Sequence, residues 1–334
     1  MNRNSTGFVN GVWQPPPRKS RWWIWLLLIL GLLILGLLLA LLFSLGQQLE
    51  EETAHRQADV PYVGLLYVEG TMMTESPVES LLSGGQYYDH EYLLQTVDEM
   101  MQDENNQGLL LYIDSPGGEV LAADELGRKL LEYKESTQRP LYVYGHAYAA
   151  SGGYWLACLG DEIFLQRYCI TGSIGVTMGS MLDISKLLEE HGIVVHDLSS
   201  GAQKTAGSLM SPPNEETIAL HQTIVDEYYG YFLDWILQNR TDLSYTQLQQ
   251  LADGRIFTAS QAVENGLADH VGELDDAILA LLEQCDAECE IWEFFPPAQS
   301  SLLSDFFLRG GSSDLAILLQ LLPPSGVLAY YQYR

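Results

Sequence analysis

Basic side chains are scarce in this chain, and their scarcity excludes several kinds of partner. Lysine and arginine together number 16 among 334 residues, against 44 aspartate and glutamate residues, and the formal net charge is −28. Nucleic acids and anionic lipid surfaces are themselves negatively charged, so a surface of this composition repels both. We therefore expect no nucleic-acid partner.

Cysteine is also scarce, with four residues in the chain, Cys158, Cys169, Cys285 and Cys289. None of their spacings is that of a zinc site, and no histidine pairs with them. Cys285 and Cys289 lie four positions apart, which leaves open either a disulfide or two free thiols. The glycine spacings of nucleotide-binding loops are missing as well. The sequence therefore predicts neither a bound metal nor a cofactor.

Charge is absent from a stretch of about 25 residues near the N-terminus, residues 22–46. An apolar run of this length is long enough to span a bilayer. Three basic residues stand just before it and three glutamates at 50–52 follow it. The positive-inside rule then predicts a single-pass protein of the inner (cytoplasmic) membrane, with residues 1–21 inside and the remainder on the extracytoplasmic side. A cleaved signal peptide is the alternative, although its apolar core is usually shorter.

The chain beyond this run is more acidic than the whole. Four of the 16 basic residues precede the run, and none of the 44 acidic residues does. The remainder therefore carries 12 basic and 44 acidic residues, a net charge of −32. A surface with this charge repels anions, so a binding site for an anionic ligand is unfavourable there.

Short apolar runs alternate with stretches of helical periodicity after residue 60. Strands are predicted at residues 63–68, 108–113, 141–144, 162–165 and 193–195. Helices are predicted at residues 91–101, 120–133, 154–159, 181–191, 214–240, 245–252, 259–265 and 273–284, and a mobile loop at 70–87. Strands that alternate with helices favour an α/β fold with a mainly parallel sheet.

These patterns divide the chain into five parts. They are a cytoplasmic tail at 1–21, a transmembrane anchor at 22–46, a linker at 47–60, a folded domain at 61–295 and a C-terminal extension at 296–334.

One serine stands where a predicted strand gives way to a predicted helix. The strand at 141–144 leads to Ser151, and the helix at 154–159 follows it. The first N–H groups of a helix have no intrahelical partner and favour negative charge beside them. Gly152 and Gly153 would let a substrate backbone come close. Ser151 is therefore a candidate nucleophile, and a helix N-cap serine is the alternative.

Several motifs occur together in a fixed order around this serine. They are Asp114-Ser-Pro-Gly-Gly118, Ala150-Ser-Gly-Gly-Tyr154, Thr171-Gly-Ser-Ile-Gly-Val176, the lone Lys204, and Gly254-Arg-Ile-Phe-Thr258 with Gly266-Leu-Ala-Asp269. This ordered set resembles the signal peptide peptidase A (protease IV) family of serine peptidases, family S49, in its short single-domain form. The resemblance covers about residues 60–290.

The resemblance implies the Clp protease/crotonase-like superfold, an α/β fold with repeated β-β-α units. It also implies a Ser–Lys dyad, with Ser151 as nucleophile and Lys204 as general base. Gly152 directly follows the nucleophile, so its N–H is one candidate oxyanion donor, and the resemblance makes Gly118 the other. Ser173 is our candidate for holding the Lys204 amine, and a turn serine is the alternative.

The residues themselves agree with a lysine base. A serine hydroxyl needs a nearby base, and lysine can serve where burial removes its charge. No histidine lies between His146 and His191. Lys204 stands among small residues that suit a crowded site, although an exposed loop lysine is the alternative. His146, five positions before Ser151, is predicted to be structural rather than catalytic.

The resemblance also implies partners. Peptide substrates are expected, above all cleaved signal peptides left in the membrane, and so is a homo-oligomeric ring, because one subunit of this family forms an incomplete cleft. Two other functions stay open: an inactive scaffold of the same fold that binds membrane proteins, and a crotonase-like acyl-CoA enzyme. The intact Ser151 and Lys204 argue against the first, and the net charge of −32 argues against the second.

Overall fold

The computed structural model describes residues 60–75, 88–201, 203–285 and 287–296, together with the backbone of residues 330–332. Its strands are β1 (Tyr62–Glu69), β2 (Asn106–Ser115), β3 (Gly117–Glu119), β4 (Leu141–Ala150), β5 (Glu162–Leu165), β6 (Ile170–Gly172), β7 (Ile256–Thr258), β8 (His270–Val271), β9 (Glu290–Phe294) and β10 (Tyr330–Gln332). Its helices are α1 (His90–Gln102), α2 (Val120–Thr137), α3 (Gly152–Ala157), α4 (Ser185–Glu190), α5 (Glu215–Asn239), α6 (Tyr245–Leu251), α7 (Ala259–Glu264) and α8 (Leu274–Leu282).

The main sheet consists mostly of parallel strands in the spatial order β7-β6-β4-β2-β1-β9. The strand β4 is long enough to serve two neighbours on one edge, with β5 beside Tyr142–Gly145 and β6 beside Tyr148–Ala150. The short β8 adds to β5, and β7 runs antiparallel to β6. Helices connect the parallel strands β1, β2 and β4, as parallel pairing requires. The predicted α/β class with a mainly parallel sheet is confirmed.

The sheet is buried on both faces, and β1 shows the arrangement most clearly. Leu66 and Val68 belong to the cluster that includes the apolar faces of α1 and α2, whereas Val63 and Leu65 face the cluster that includes α8. All four side chains are at most 1% exposed. Continuous apolar runs of this kind are typical of parallel strands that are covered on two sides.

Three of the sequence predictions need correction. Residues 193–195 form no strand, and the helix predicted at 181–191 is limited to Ser185–Glu190. The β-branched run at 193–195 is largely exposed and pairs with no strand among the described residues. Residues 70–75, predicted as the start of a mobile loop, instead hold the fully buried Met72, which bridges to Gly118.

Several predictions fall on residues that the structure does not describe. The tail at 1–21, the anchor at 22–46, most of the linker, residues 76–87 of the predicted loop and most of the extension at 296–334 are among them. Within the described ranges, no helix combines the length and the apolar character that crossing a membrane would need. None of the four cysteines is in a disulfide, so Cys285 and Cys289 are not bridged.

Candidate active site

Ser151 lies at the sharp turn between β4 and α3, as the sequence predicts. Its backbone angles, φ 58° and ψ −117°, belong to a region that residues with a Cβ rarely adopt. The turn is held by hydrogen bonds from the Ser151 N–H to the Gly172 carbonyl (2.8 Å) and from the Trp155 N–H to the Ser151 carbonyl (2.9 Å). The serine is fully buried, and its Oγ has no hydrogen-bond partner among the described residues. A strained turn that presents a hydroxyl without a partner is typical of a nucleophile.

The glycines around this turn are required by close backbone approach. A Cβ on Gly153 would lie 2.8 Å from the Ser115 carbonyl oxygen of β2. A Cβ on Gly152 would lie 3.3 Å from the Gly117 Cα, so the residue after the nucleophile directly adjoins β3. The structure therefore brings Gly152 and the Gly117–Gly118 pair together, as the oxyanion prediction requires.

The strand β3 forms backbone hydrogen bonds along both of its edges, with Met72 on one edge and with another strand on the other. On the first edge, Met72 donates its N–H to the Gly117 carbonyl (3.0 Å), and the Met72 carbonyl accepts the Glu119 N–H (2.8 Å). Because backbone groups alternate in direction along a strand, the Gly118 N–H and carbonyl point to the opposite edge. A side chain at Gly118 would collide with the Met72 carbonyl. Gly118 is therefore fixed with its N–H directed away from Met72.

The edge that carries the Gly118 N–H is paired with β10 of the same chain. The pairing is antiparallel, with Tyr331 opposite Gly118, Tyr330 opposite Glu119 and Gln332 opposite Gly117. An exposed strand edge that accepts an extended segment can accept an extended peptide by the same backbone hydrogen bonds. The sequence predicted no role for this part of the C-terminal extension.

The two remaining predicted site residues lie in different surroundings. Ser173 directly follows β6, with φ 52°, and donates its N–H to the Arg255 carbonyl (2.8 Å); β6 pairs with the last residues of β4, so Ser173 lies near the Ser151 turn. Lys204 is exposed, and its N–H bonds to the Gly201 carbonyl (3.0 Å). Within the described residues, no hydrogen bond joins the Lys204 amine to Ser173 or Ser151. The structure brings Ser151, Gly152, Gly118 and Ser173 together, and it leaves the Lys204 side chain exposed.

His146 is partnered, but not with the serine. Its Nδ1 lies 3.1 Å from an Asp114 carboxylate oxygen, and its ring stacks on Tyr112. The other Asp114 oxygen accepts the Tyr148 N–H at 3.0 Å. Burial, together with the Asp114 charge, raises the pKa of Glu69 nearby. The two contacts of the Asp114 carboxylate therefore join the end of β2 to β4 just before the nucleophile turn. Sequence reasoning missed it, although Asp114 opens one of the recognised motifs.

Relatives and a family model match this chain. Residues 133–288 match the model of peptidase family S49. A protein of Enterococcus faecium named as a signal peptide peptidase SppA is 31% identical over 285 residues, which cover 80% of this chain and 81% of that protein. Protease 4 of Haemophilus influenzae is 30% identical over 218 residues, which cover 65% of this chain and 34% of that protein.

A solved structure is also similar. It is the 1510-N membrane-bound stomatin-specific protease, in a mutant form in complex with a substrate peptide, with a TM-score of 0.44 at 15% sequence identity. The similarity covers 75% of this chain and 99% of that one. From the family model and the enterococcal relative it follows that this chain belongs to peptidase family S49, and that it is a serine peptidase.

Proposed function

We propose that this protein is a membrane-anchored endopeptidase that hydrolyses remnant signal peptides and other membrane-associated peptides through a Ser151–Lys204 dyad. One observation carries the proposal. The buried Ser151 Oγ has no partner at a strained turn, and the glycine-lined edge of β3 lies directly beside it. We further assign the domain to the Clp protease/crotonase-like superfold.

The chemistry follows from this arrangement. A peptide lies extended along the edge of β3, and the Ser151 Oγ attacks the carbonyl carbon of the scissile bond while its proton passes to the neutral Lys204 amine. The N–H groups of Gly118 and Gly152 stabilise the negative oxygen of the tetrahedral intermediate. The Lys204 ammonium then returns the proton to the leaving amine. Water hydrolyses the acyl-enzyme by the same steps.

The exposure of Lys204 supports assembly as part of the proposal. A lysine serves as a general base where burial disfavours its charge, and the single chain leaves the Lys204 side chain exposed. Residues 177–201 and 203–220, which include Lys204, carry exposed apolar side chains such as Leu182, Val194 and Leu198, the last of them 95% exposed. A homo-oligomeric ring would cover this segment and complete the cleft. The run at residues 22–46 would anchor the ring, with the catalytic domains on the extracytoplasmic side.

Peptide hydrolysis tests the dyad. The full chain, purified in detergent, is given a synthetic signal peptide, and the products are identified by mass spectrometry. We expect cleavage that is abolished in Ser151→Ala and Lys204→Ala and persists in His146→Ala. An inactive wild-type chain would support the scaffold alternative. An inactive His146→Ala beside an unaffected Lys204→Ala would replace the dyad by a histidine mechanism.

Assembly and orientation have separate tests. Leu198→Asp should dissociate the ring in size-exclusion chromatography and reduce activity, whereas the matched control Tyr168→Asp, at a 79% exposed tyrosine outside this segment, should do neither. A monomeric and active wild-type chain would refute the ring. Protease added to intact spheroplasts should digest the catalytic domain, and digestion only after permeabilisation would reverse the orientation.

A further inference from the structure

A cavity of about 740 Å³ lies beside β3, between α2 and α5. Four aromatic residues line it: Trp155, Trp235, Tyr228 and Tyr231. The Trp155 and Trp235 rings are stacked, with centroids 4.9 Å apart, and the two tyrosine rings lie 6.2 Å apart. Aromatic faces of this kind attract cations.

The charged groups of the cavity are mainly acidic. Glu119, Asp124 and Asp234 line it against one basic residue, Arg128, which leaves a net charge of −2. Arg128 is already paired with Asp124 at 2.7 Å. Glu119 is 7% exposed, and one of its carboxylate oxygens accepts the N–H and hydroxyl of Thr74, which are neutral groups. Asp234 has no ion-pair or hydrogen-bond partner in the described part of the chain. Two carboxylates therefore face the cavity without a cation.

The pairing of β10 with β3 shows how an extended peptide would reach this cavity. Since the Gly118 N–H points to the paired edge, the residue opposite Gly118 is the one whose carbonyl meets that N–H. In an antiparallel pair, the residue before it lies opposite Glu119. Residues directly opposite each other place their side chains on the same face, with Cβ atoms about 5 Å apart. The side chain next to Glu119 therefore belongs to the residue just upstream of the attacked one.

We propose that this cavity is a specificity site for a lysine or arginine side chain immediately upstream of the residue whose carbonyl Ser151 attacks. Glu119 and Asp234 would pair with the cation, and the aromatic walls would contact its methylene stem. The inference rests on the proposed peptidase function. Signal peptides begin with a basic segment that is followed by an apolar core. The cavity would thus direct cleavage to the start of the apolar core, directly after the last basic residue.

Matched peptides test this proposal on the full chain in detergent. Three peptides differ at the upstream position alone, carrying lysine, norleucine or glutamate there, and mass spectrometry confirms that each is cut at the same bond. We expect kcat/KM for the lysine peptide to exceed that for norleucine by about ten-fold, with glutamate lowest, and we expect added salt to reduce the preference. Equal values for lysine and norleucine would overturn the proposal.

Variants locate the source of the preference. Asp234→Asn and Glu119→Gln should each reduce the lysine-to-norleucine ratio of kcat/KM several-fold. Asp226→Asn is the control, because Asp226 is also exposed on α5 but does not line the cavity. If the preference for lysine survives both cavity variants, or falls equally in Asp226→Asn, it comes from the general acidic surface. Either result would refute the site. Failure to cut any of the three peptides would instead refute the peptidase function.

Discussion

The strained backbone at Ser151 predicts an unusual order of stability among variants at this position. Ser151→Ala and Ser151→Gly both remove the hydroxyl, so neither should cleave peptides. They differ in whether a Cβ remains at φ 58° and ψ −117°. Glycine adopts such angles without steric cost, whereas alanine retains the strain.

The size of the difference follows from two opposing effects. A residue held in a sparsely populated backbone region costs about 1–3 kcal/mol. Glycine loses more conformational freedom on folding, which costs roughly 0.4–1 kcal/mol relative to alanine. Ser151→Gly should therefore be more stable than Ser151→Ala by about 1 kcal/mol, which corresponds to a Tm about 2–4 °C higher for a domain of this size.

Thermal unfolding followed by circular dichroism, on the full chain in detergent, measures this difference. Ala219→Gly supplies the control, because Ala219 is exposed on α5 and an ordinary helix position loses about 1 kcal/mol in this exchange. Opposite signs at the two positions would support the strained turn. A lower Tm for Ser151→Gly than for Ser151→Ala would show that the turn carries no such strain.

Three further predictions concern the surroundings of the nucleophile. Gly153→Ala should displace the turn and lower kcat by an order of magnitude or more. The control Gly175→Ala, where a Cβ would meet its nearest atom at 3.5 Å, should keep near-normal kcat. Equal kcat values for the two variants would refute the steric argument. Burial raises the pKa of the Cys158 thiol to about 12, so it stays protonated at mildly alkaline pH, and iodoacetamide should modify the part-exposed Cys289 first; rapid labelling of native Cys158 in peptide maps would contradict its burial. Removing residues 330–334 should lower KM for peptides several-fold without changing kcat, because β10 pairs with the same edge; an unchanged KM would mean that the strand does not compete.

Local patterns were sufficient to predict much of the sheet. The continuous apolar run at 108–113 became β2, and the strand, small residues and helix around Ser151 became the predicted turn. These features depend on residues close together in sequence. The burial of a strand on both faces leaves a short continuous apolar run, and its length distinguishes it from a buried helix.

Features that depend on register were not predictable in this way. The contact between Asp114 and His146 joins residues 32 positions apart and exists because β2 and β4 are neighbours. The pairing of β10 with β3 spans more than 200 residues. The strand predicted at 193–195 failed for a related reason, since a β-branched run forms a strand only where a neighbouring strand satisfies its backbone groups.

Covalent labelling by a fluorophosphonate tests the central claim most directly, because the reagent reacts with an activated serine and not with an ordinary hydroxyl. We predict one adduct, located by mass spectrometry on the peptide that contains Ser151. Labelling should be lost in Lys204→Ala and retained in His146→Ala. Labelling that survives Lys204→Ala, or an adduct on a different serine, would contradict the proposed dyad.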